Sequence, residues 1–373
     1  NANTVVTADS PSPCFDIIAG RKGLNLTNAE PRQPFLERYG ASQAHLEESL
    51  REFSPEMLRD WVAGLGLTTF VSSGGKVFPE PMKGAPLLRR WLRRLESAGV
   101  EFRGRCLCRG IRRNGARWLV ELDQGEPIET DAIVLALGGA SWPQTGSDGG
   151  WRGWLDRLGI ASSDFEAANV AWEVDWPEEI VADGAGLPLK NVSVSAAGSK
   201  SVRGELVITR SGIEGGPIYA LGPDLRNAAE PVILLNLKPD LSLSEIRDRL
   251  GSIRRNFARE ATRRLHLDEG AKRLLRFLPG LGPWRSAEQV AEAVRCCPIP
   301  LIRPRPLSEA ISSAGGLSWS ELGTDFELLK ARNVFAVGEM LDWEAPTGGY
   351  LLQACFSTGT RAGQAVAAKL LDG

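Results

Sequence analysis

The sequence predicts an α/β fold interrupted by a β-rich insert and a helical block, and three observations support this. Two short apolar runs, residues 132–137 and 334–337, each suit a buried parallel strand, and each empties into small residues and glycines. Between them the composition shifts after about Phe165 to short β-like runs separated by Gly and Pro turns. Residues 242–297 then read as helical. A chain of 373 residues suits two or three domains with a large core. The expected division is a first domain over residues 1–165, a β-rich insert over 166–240, a helical subdomain over 241–298, and a return to the first domain over 299–373.

Charge and composition narrow the function. Forty-four basic and 46 acidic residues leave a net charge of −2, which argues against a general electrostatic grip on nucleic acid. No apolar run approaches the ~18 residues of a membrane span. The opening NANTVVTADSPSP has no basic region or hydrophobic core, and six cysteines are too few for a disulfide framework, so a cytoplasmic location is expected. No histidine pair or cysteine spacing suggests a metal site.

Residues 4–8 form a β-branched strand candidate ending in Asp9. In a dinucleotide-binding βαβ unit an acid at that place holds ribose hydroxyls, although Asp9 also reads as a simple turn acid. The segment AGRKGLNLTN comes next, residues 19–28. Its glycines, the cations Arg21 and Lys22, and short polar side chains suit a loop around a pyrophosphate. Residues 34–65 read as helical, with His45 at a solvated position. Residues 71–78 suit a hairpin around Gly74 and Gly75, and a helix capped by Gly99 comes after it. Arg89, Arg90, Arg93 and Arg94 make its solvated face.

Strands are expected over 100–103, 107–112, 117–122 and 128–137, then a glycine turn and a helix over 151–158. Cys106 and Cys108 would share one side of a strand, and Cys296 and Cys297 read as buried small hydrophobes. In the insert, strands are expected near 170–174, 187–194, 205–209 and 231–235, with a tight turn over 213–217. Ser242 with Glu245, and Ser286 with Gln289, fit capping boxes. Residues 310–317 read as a glycine turn. Last comes residues 333–363: a strand, Gly338 and Glu339, the glycine loop PTGGY, and a small-residue helix from about Leu351. Helix-start amides and glycines offer an anionic or flat ligand close access to the main chain.

Taken together, these segments resemble the YhiN/BaiN-like NAD(P)/FAD-dependent oxidoreductases of bacteria over nearly the whole chain. The resemblance rests on AGRKGLNLTN, GGKVFPEPMKGAPLL, AIVLALGGASWPQTGSDG, RPLSEAISSAGGLSW and VFAVGEMLDWEAPTGGYLLQACFSTGTRAG, in that order. It implies a glutathione-reductase-type FAD-binding Rossmann-like domain with a β-rich insert and a small helical subdomain. The first and last segments would bind FAD, and the insert would cover the substrate.

On residues, the resemblance makes Asp9 the ribose ligand. It runs Gly20, Arg21, Lys22, Asn25 and Thr27 along the pyrophosphate and ring, and sets Cys108 beside the adenine. Ala136, Gly138 and Gly139 would pass the dinucleotide, and Gly338 and Glu339 would meet the ribityl–phosphate part. Thr347, Gly348, Gly349, Tyr350 and Leu351 would bring helix-start amides to the flavin's pyrimidine edge. The family's first strand and G-x-G-x-x-G turn have no counterpart ahead of Thr4. The resemblance therefore implies weak or no FAD binding by this 373-residue chain, and binding by a version that carries the turn.

The expected activity is hydride exchange between flavin and a small organic substrate, with NAD(P)H as a transient reductant or oxygen as oxidant. No membrane and no nucleic acid is expected as partner. No catalytic acid or base is read from the sequence; Glu214, Tyr219 and Tyr350 stand out by turn position alone. Two other readings compete: an RNA-acting flavoprotein using the basic helices at 242–285, and a cofactor-less, non-catalytic remnant.

Overall fold

The computed structural model describes residues 3–6, 23–278, 280 and 286–371. Two compact units emerge, Asn1–Glu166 with Ser312–Gly373, and Ala167–Ile311. Among the described residues no helix is long and apolar enough to cross a membrane.

The first unit contains two parallel strand pairs, Asn3–Val6 with Val100–Arg103 and Ile133–Leu135 with Val334–Ala336. Its core gathers Val334, Phe335 and Ala336 with Leu135, Leu155 and Leu317. The strand expected over 128–137 is in fact two. Ile128–Thr130 pairs antiparallel with Arg117–Leu122, whereas Ile133–Leu135 runs parallel to Val334–Ala336. The break falls at Asp131, whose carboxylate takes two hydrogen bonds from Arg117 at 2.9 and 3.2 Å. Ile133 N–H then donates to Asn333 O, which starts the new pairing. Ile133 and Leu135 are buried but Val134 is 42% exposed, so only one face of this strand is covered, not both.

The helical reading of 34–65 resolves into Arg32–Glu37, Gln43–Glu52 and Pro55–Gly64. Ser54 caps the third by accepting from Met57 N–H, and Pro55 disfavours helical backbone before it. The hairpin is Thr69–Val71 with Lys76–Pro79, and Gly75 turns it at φ +78°. His45 is exposed, as expected, and its ring stacks on Trp319 at 4.6 Å. The strand after Arg105 begins at Cys108, so Cys106 lies outside it.

Residues 312–317 are a strand rather than a turn, and Ser312–Leu317 lies beside Ser162–Ala168. Gly315, at φ +83°, lies against the Asp164 carbonyl, where a Cβ could not fit. Its glycines serve close approach of two strands, a use that resembles a turn signal in sequence.

The second unit is built on a six-stranded antiparallel sheet. Its order is Trp172–Glu173, Gly212–Gly215, Val202–Ile208, Pro188–Ala196, Val232–Asn236 and Cys297–Pro300. Helices Leu243–Gly251, Phe257–Arg264, Glu269–Phe277 and Ala287–Arg295 share its core through Ile246, Ala261, Leu274 and Val290. Ser242 and Glu245 form the full capping box, while Ser286 accepts from Gln289 N–H as a simple N-cap. The turn expected over 213–217 is the end of a strand at Gly215 and then the short helix Gly216–Ala220. Cys297 is buried in the sheet; Cys296, expected inside, is exposed.

Gly212 packs with its Cα against the Trp172 carbonyl, leaving no room for a Cβ. Gly212→Ala is expected to lower stability by about 1–3 kcal/mol through this clash. Gly216→Ala, where nothing lies within 4 Å, should change it by less than about 0.5 kcal/mol. Urea unfolding of both variants checks the pair.

Candidate nucleotide-binding site

The C-terminal helix Tyr350–Leu371 organises the candidate site in the first unit. Ahead of it, Gly348 and Gly349 take φ values of +141° and +100°. Gly349 lies directly on the Thr27 main chain, and a Cβ there would run into the Thr27 carbonyl. Asn28 ties the two segments: its Nδ2 donates to Gly348 O at 3.2 Å, and its Oδ1 accepts from Glu30 N–H at 3.0 Å. Tyr39 adds a hydrogen bond from its hydroxyl to Tyr350 O at 2.8 Å.

Three buried acceptors here have no partner among the described residues: Asn25 Oδ1, Thr27 Oγ1 and Gln353 Oε1. Thr27 and Gln353 are fully buried. Buried polar atoms without partners are costly and rare, so those of Thr27 and Gln353 beside a helix start fit a hydrogen-bonding ligand. The first amides of a 22-residue helix add partial positive charge at the same place.

The second element is the paired ends of Ile133–Leu135 and Val334–Ala336. Each runs into a glycine of positive φ, Gly138 at +73° and Gly338 at +77°. Both glycine carbonyls accept from a tryptophan Nε1, Gly138 from Trp151 at 2.9 Å and Gly338 from Trp343 at 2.8 Å. Gly338 N–H donates to Thr358 Oγ1 at 3.1 Å, which ties this turn to the C-terminal helix. Gly139 faces Ser313 Oγ, and a Cβ on it would also lie 3.5 Å from Glu339 O. Two strand ends and their glycine turns thus open side by side, where α/β sheets bind ligands.

Glu339 follows Gly338 in this turn. It keeps part of its side chain at the surface, yet burial pushes its carboxyl up to about 7. The Cys355 thiol, raised first by burial, lies beneath Gly338.

The third element is a cleft of about 270 Å³ lined by Cys106, Cys108, Leu137, Gly146, Trp151 and Trp154. Burial raises the Cys108 thiol as well.

Of the residues expected from sequence, Thr27 lies against Gly349, ahead of Tyr350 and Leu351 at the helix start, Asn28 bonds Gly348 O, and Asn25 lies two residues before Thr27 in the chain. Gly138 and Gly139 sit with Gly338 and Glu339, Ala136 is exposed just before them, and Cys108 lines the cleft. Thr347 immediately precedes the two glycines. Asp9, Gly20, Arg21 and Lys22 lie outside the described residues. Glu214 and Tyr219 belong to the second unit. Sequence reading missed Trp151 and Trp154, although an aromatic pair three apart after a glycine turn is a readable sign of a wall. It also missed Ser313, Glu30 and Arg38, which only tertiary structure brings in.

Parallel strands that end in glycines, beside the start of a long helix, define a Rossmann-type nucleotide-binding domain. Over residues 16–365 the chain matches the HI0933-like protein Rossmann domain, and it belongs to that family. It is 24% identical over 390 residues to the 3-dehydro-bile acid delta(4,6)-reductase of Clostridium scindens, spanning 94% of this chain and 89% of that one. Among solved structures it is similar to a quinol-fumarate reductase, at 13% identity and TM-score 0.48, covering all of this chain and 67% of the other. It is also similar to the 3-ketosteroid-delta4-(5alpha)-dehydrogenase of Rhodococcus jostii RHA1, at 14% identity and TM-score 0.45, covering 98% and 88%.

The site's geometry gives two expected outcomes. Gly349→Ala should cost about 1–3 kcal/mol from its left-handed backbone and its clash with Thr27, read as a lower urea midpoint. Glu339 holds its proton in the folded state where the unfolded carboxyl, near 4.5, has released it. Stability of the ligand-free protein should therefore fall as pH rises from about 4.5 to about 7 and then level off. Glu339→Gln should remove that slope and add about 1–3 kcal/mol at pH 8, with little change at pH 4. Unfolding curves across this range, unchanged in slope by the substitution, would contradict it.

Proposed function

We propose that the chain is an FAD-dependent oxidoreductase passing hydride between flavin and a small organic substrate, with NAD(P)H or oxygen completing the cycle. One observation carries the reading: Thr27 meets Gly349 and Asn28 bonds Gly348 at the start of Tyr350–Leu371, with the buried polar atoms of Thr27 and Gln353 left without partners among the described residues. Bound flavin would supply hydride transfer at its N5.

The chain's own residues have separate tasks in this reading. Gly349, Tyr350 and Leu351 offer N–H groups to the ring edge where negative charge develops. Asn25 and Thr27 give it hydrogen-bond acceptors. Gly138, Gly139 and Gly338 leave the main chain open to a phosphate or sugar, and Glu339 bonds the ribityl hydroxyls. The cleft at Cys108, Leu137 and Trp154 suits an adenine by shape and apolar walls. Asp9 holds the ribose, while Gly20, Arg21 and Lys22 take the pyrophosphate. Thr347 and Ala136 flank the bound dinucleotide.

For the substrate, the bile-acid reductase relative supports a conjugated enone on a flat ring system. Glu214, Tyr219 and Tyr350 carry no catalytic task here, because no observation places one of them at a reacting atom.

The test is flavin uptake by a form of the protein that carries a strand and G-x-G-x-x-G turn ahead of Asn3. It should purify yellow, with absorbance near about 450 nm and one flavin per chain. A colourless product that FAD does not titrate would end the reading. Without oxygen, NADH or NADPH should bleach the bound flavin and a conjugated enone should restore its colour. Restoration by oxygen alone would replace the enone with an oxidase reading.

A further inference from the structure

Three side chains beside the candidate site form an arrangement that the reading above does not use. Glu30 lies two residues beyond Asn28, and Arg38 grips it with two prongs, Nε to Oε1 at 3.0 Å and Nη2 to Oε2 at 2.9 Å. From the other end of the chain, the Tyr350 hydroxyl donates to the same Oε1 at 2.5 Å. Arg38 also lies over the Tyr350 ring at 5.8 Å from its centre. Phe35 closes the group with its ring 5.0 Å from that of Tyr350.

An exposed Arg–Glu pair contributes little to stability, at most about 1 kcal/mol. This pair differs in two ways. The Glu30 side chain is only 17% exposed, and it takes a third hydrogen bond from a buried tyrosine. Burial alone would raise the Glu30 carboxyl, but the bonds from Arg38 and Tyr350 outweigh it, and the carboxyl is lowered overall. Glu30 is therefore a fixed anion near the positive end of a long helix, and Arg38 is the cation that cancels it.

The position of the trio gives it a task. Gly348 and Gly349 precede the helix in conformations that only glycine adopts readily, and glycine has the most freedom to lose on ordering. Something must hold Tyr350 still if its amide and its neighbours' amides are to face a ligand. Tyr350 is held at both ends, its carbonyl by Tyr39 and its hydroxyl by Glu30.

We infer that Glu30, Arg38 and Tyr350 form a charge-balanced positioning brace, which fixes the first amides of the C-terminal helix and keeps a stray carboxylate from opposing negative charge on the flavin. The inference rests on the FAD reading above. It makes these three side chains positioning residues, since their side-chain bonds run to one another.

The two charged halves should leave opposite signatures, which a merely structural role would not. Arg38→Met leaves Glu30 uncancelled and should lower the flavin midpoint potential, because reduction adds negative charge nearby. Glu30→Gln leaves Arg38 uncancelled and should raise it. Arg38→Met with Glu30→Gln together should return the potential close to the parent's. Tyr350→Phe keeps the ring and should weaken FAD binding about tenfold, the loss of one hydrogen bond to a charged group. In the same variant without flavin, the amides of residues 349–351 should exchange hydrogen faster than in the parent.

The measurements are FAD titration and potentiometry on whichever form of the protein takes up flavin, and hydrogen exchange on the ligand-free chain. Shifts of the same sign from both charge variants, or unchanged affinity and exchange in Tyr350→Phe, would overturn the brace alone. A parent protein that takes up no flavin would overturn the FAD reading and, with it, the brace's task.

Discussion

The first unit depends on one contact between main chains, that of Gly349 with Thr27. Two segments far apart in sequence touch there with no side chain between them. Only a residue without a Cβ can be placed so, and only one that tolerates φ +100° can then lead into the helix. Asn28 and Tyr39 secure the approach from one side, and Gln353 from within the first turn of the helix. The polar atoms left over, Thr27 Oγ1 and Gln353 Oε1, are a consequence of the same closeness. The backbone itself is thereby brought to the front, as the proposed ligand site requires.

The same economy governs the paired strand ends. Val334–Ala336 and Ile133–Leu135 run parallel, so both deliver their glycine turns to one edge. Each turn is held from behind by an indole, Trp151 on Gly138 and Trp343 on Gly338. Carbonyls are thus occupied by the indoles, while Ser147 Oγ packs against Gly138 and Ser313 Oγ against Gly139. Electrostatics obeys the same division. The Glu30 carboxylate, bonded to Tyr350 at the helix start, is neutralised by Arg38, whereas Glu339, beside Gly338, has no cation partner among the described residues, and burial raises it. One acid is kept charged and quiet, and the other is kept close to its titration point.

Much of this was legible because glycines and apolar runs report backbone needs directly. The strand at 334–336, the turn at Gly338 and the helix from Tyr350 can be read from local pattern alone. What misled was ambiguity in the same signals. The glycines at 315 and 316 mark a close strand crossing, not a turn, and nothing local separates these uses. The run 128–137 looks continuous because its break is made by Arg117 taking Asp131, a pairing set by the neighbouring strand. Glu30, Arg38 and Tyr350 meet across more than three hundred positions, so no window of sequence could show them together.

The second unit, Ala167–Ile311, is one uninterrupted stretch, while the first is assembled from the two segments that flank it. During synthesis the second unit can therefore finish folding before the strand Val334–Ala336 and the helix Tyr350–Leu371 have been made. Its prior collapse shortens the effective chain that must close to bring residue 349 onto residue 27. The order of emergence from the ribosome thus favours the fold: the part whose contacts lie within a single stretch comes to rest first and serves as a ready-made tether for the part whose contacts do not.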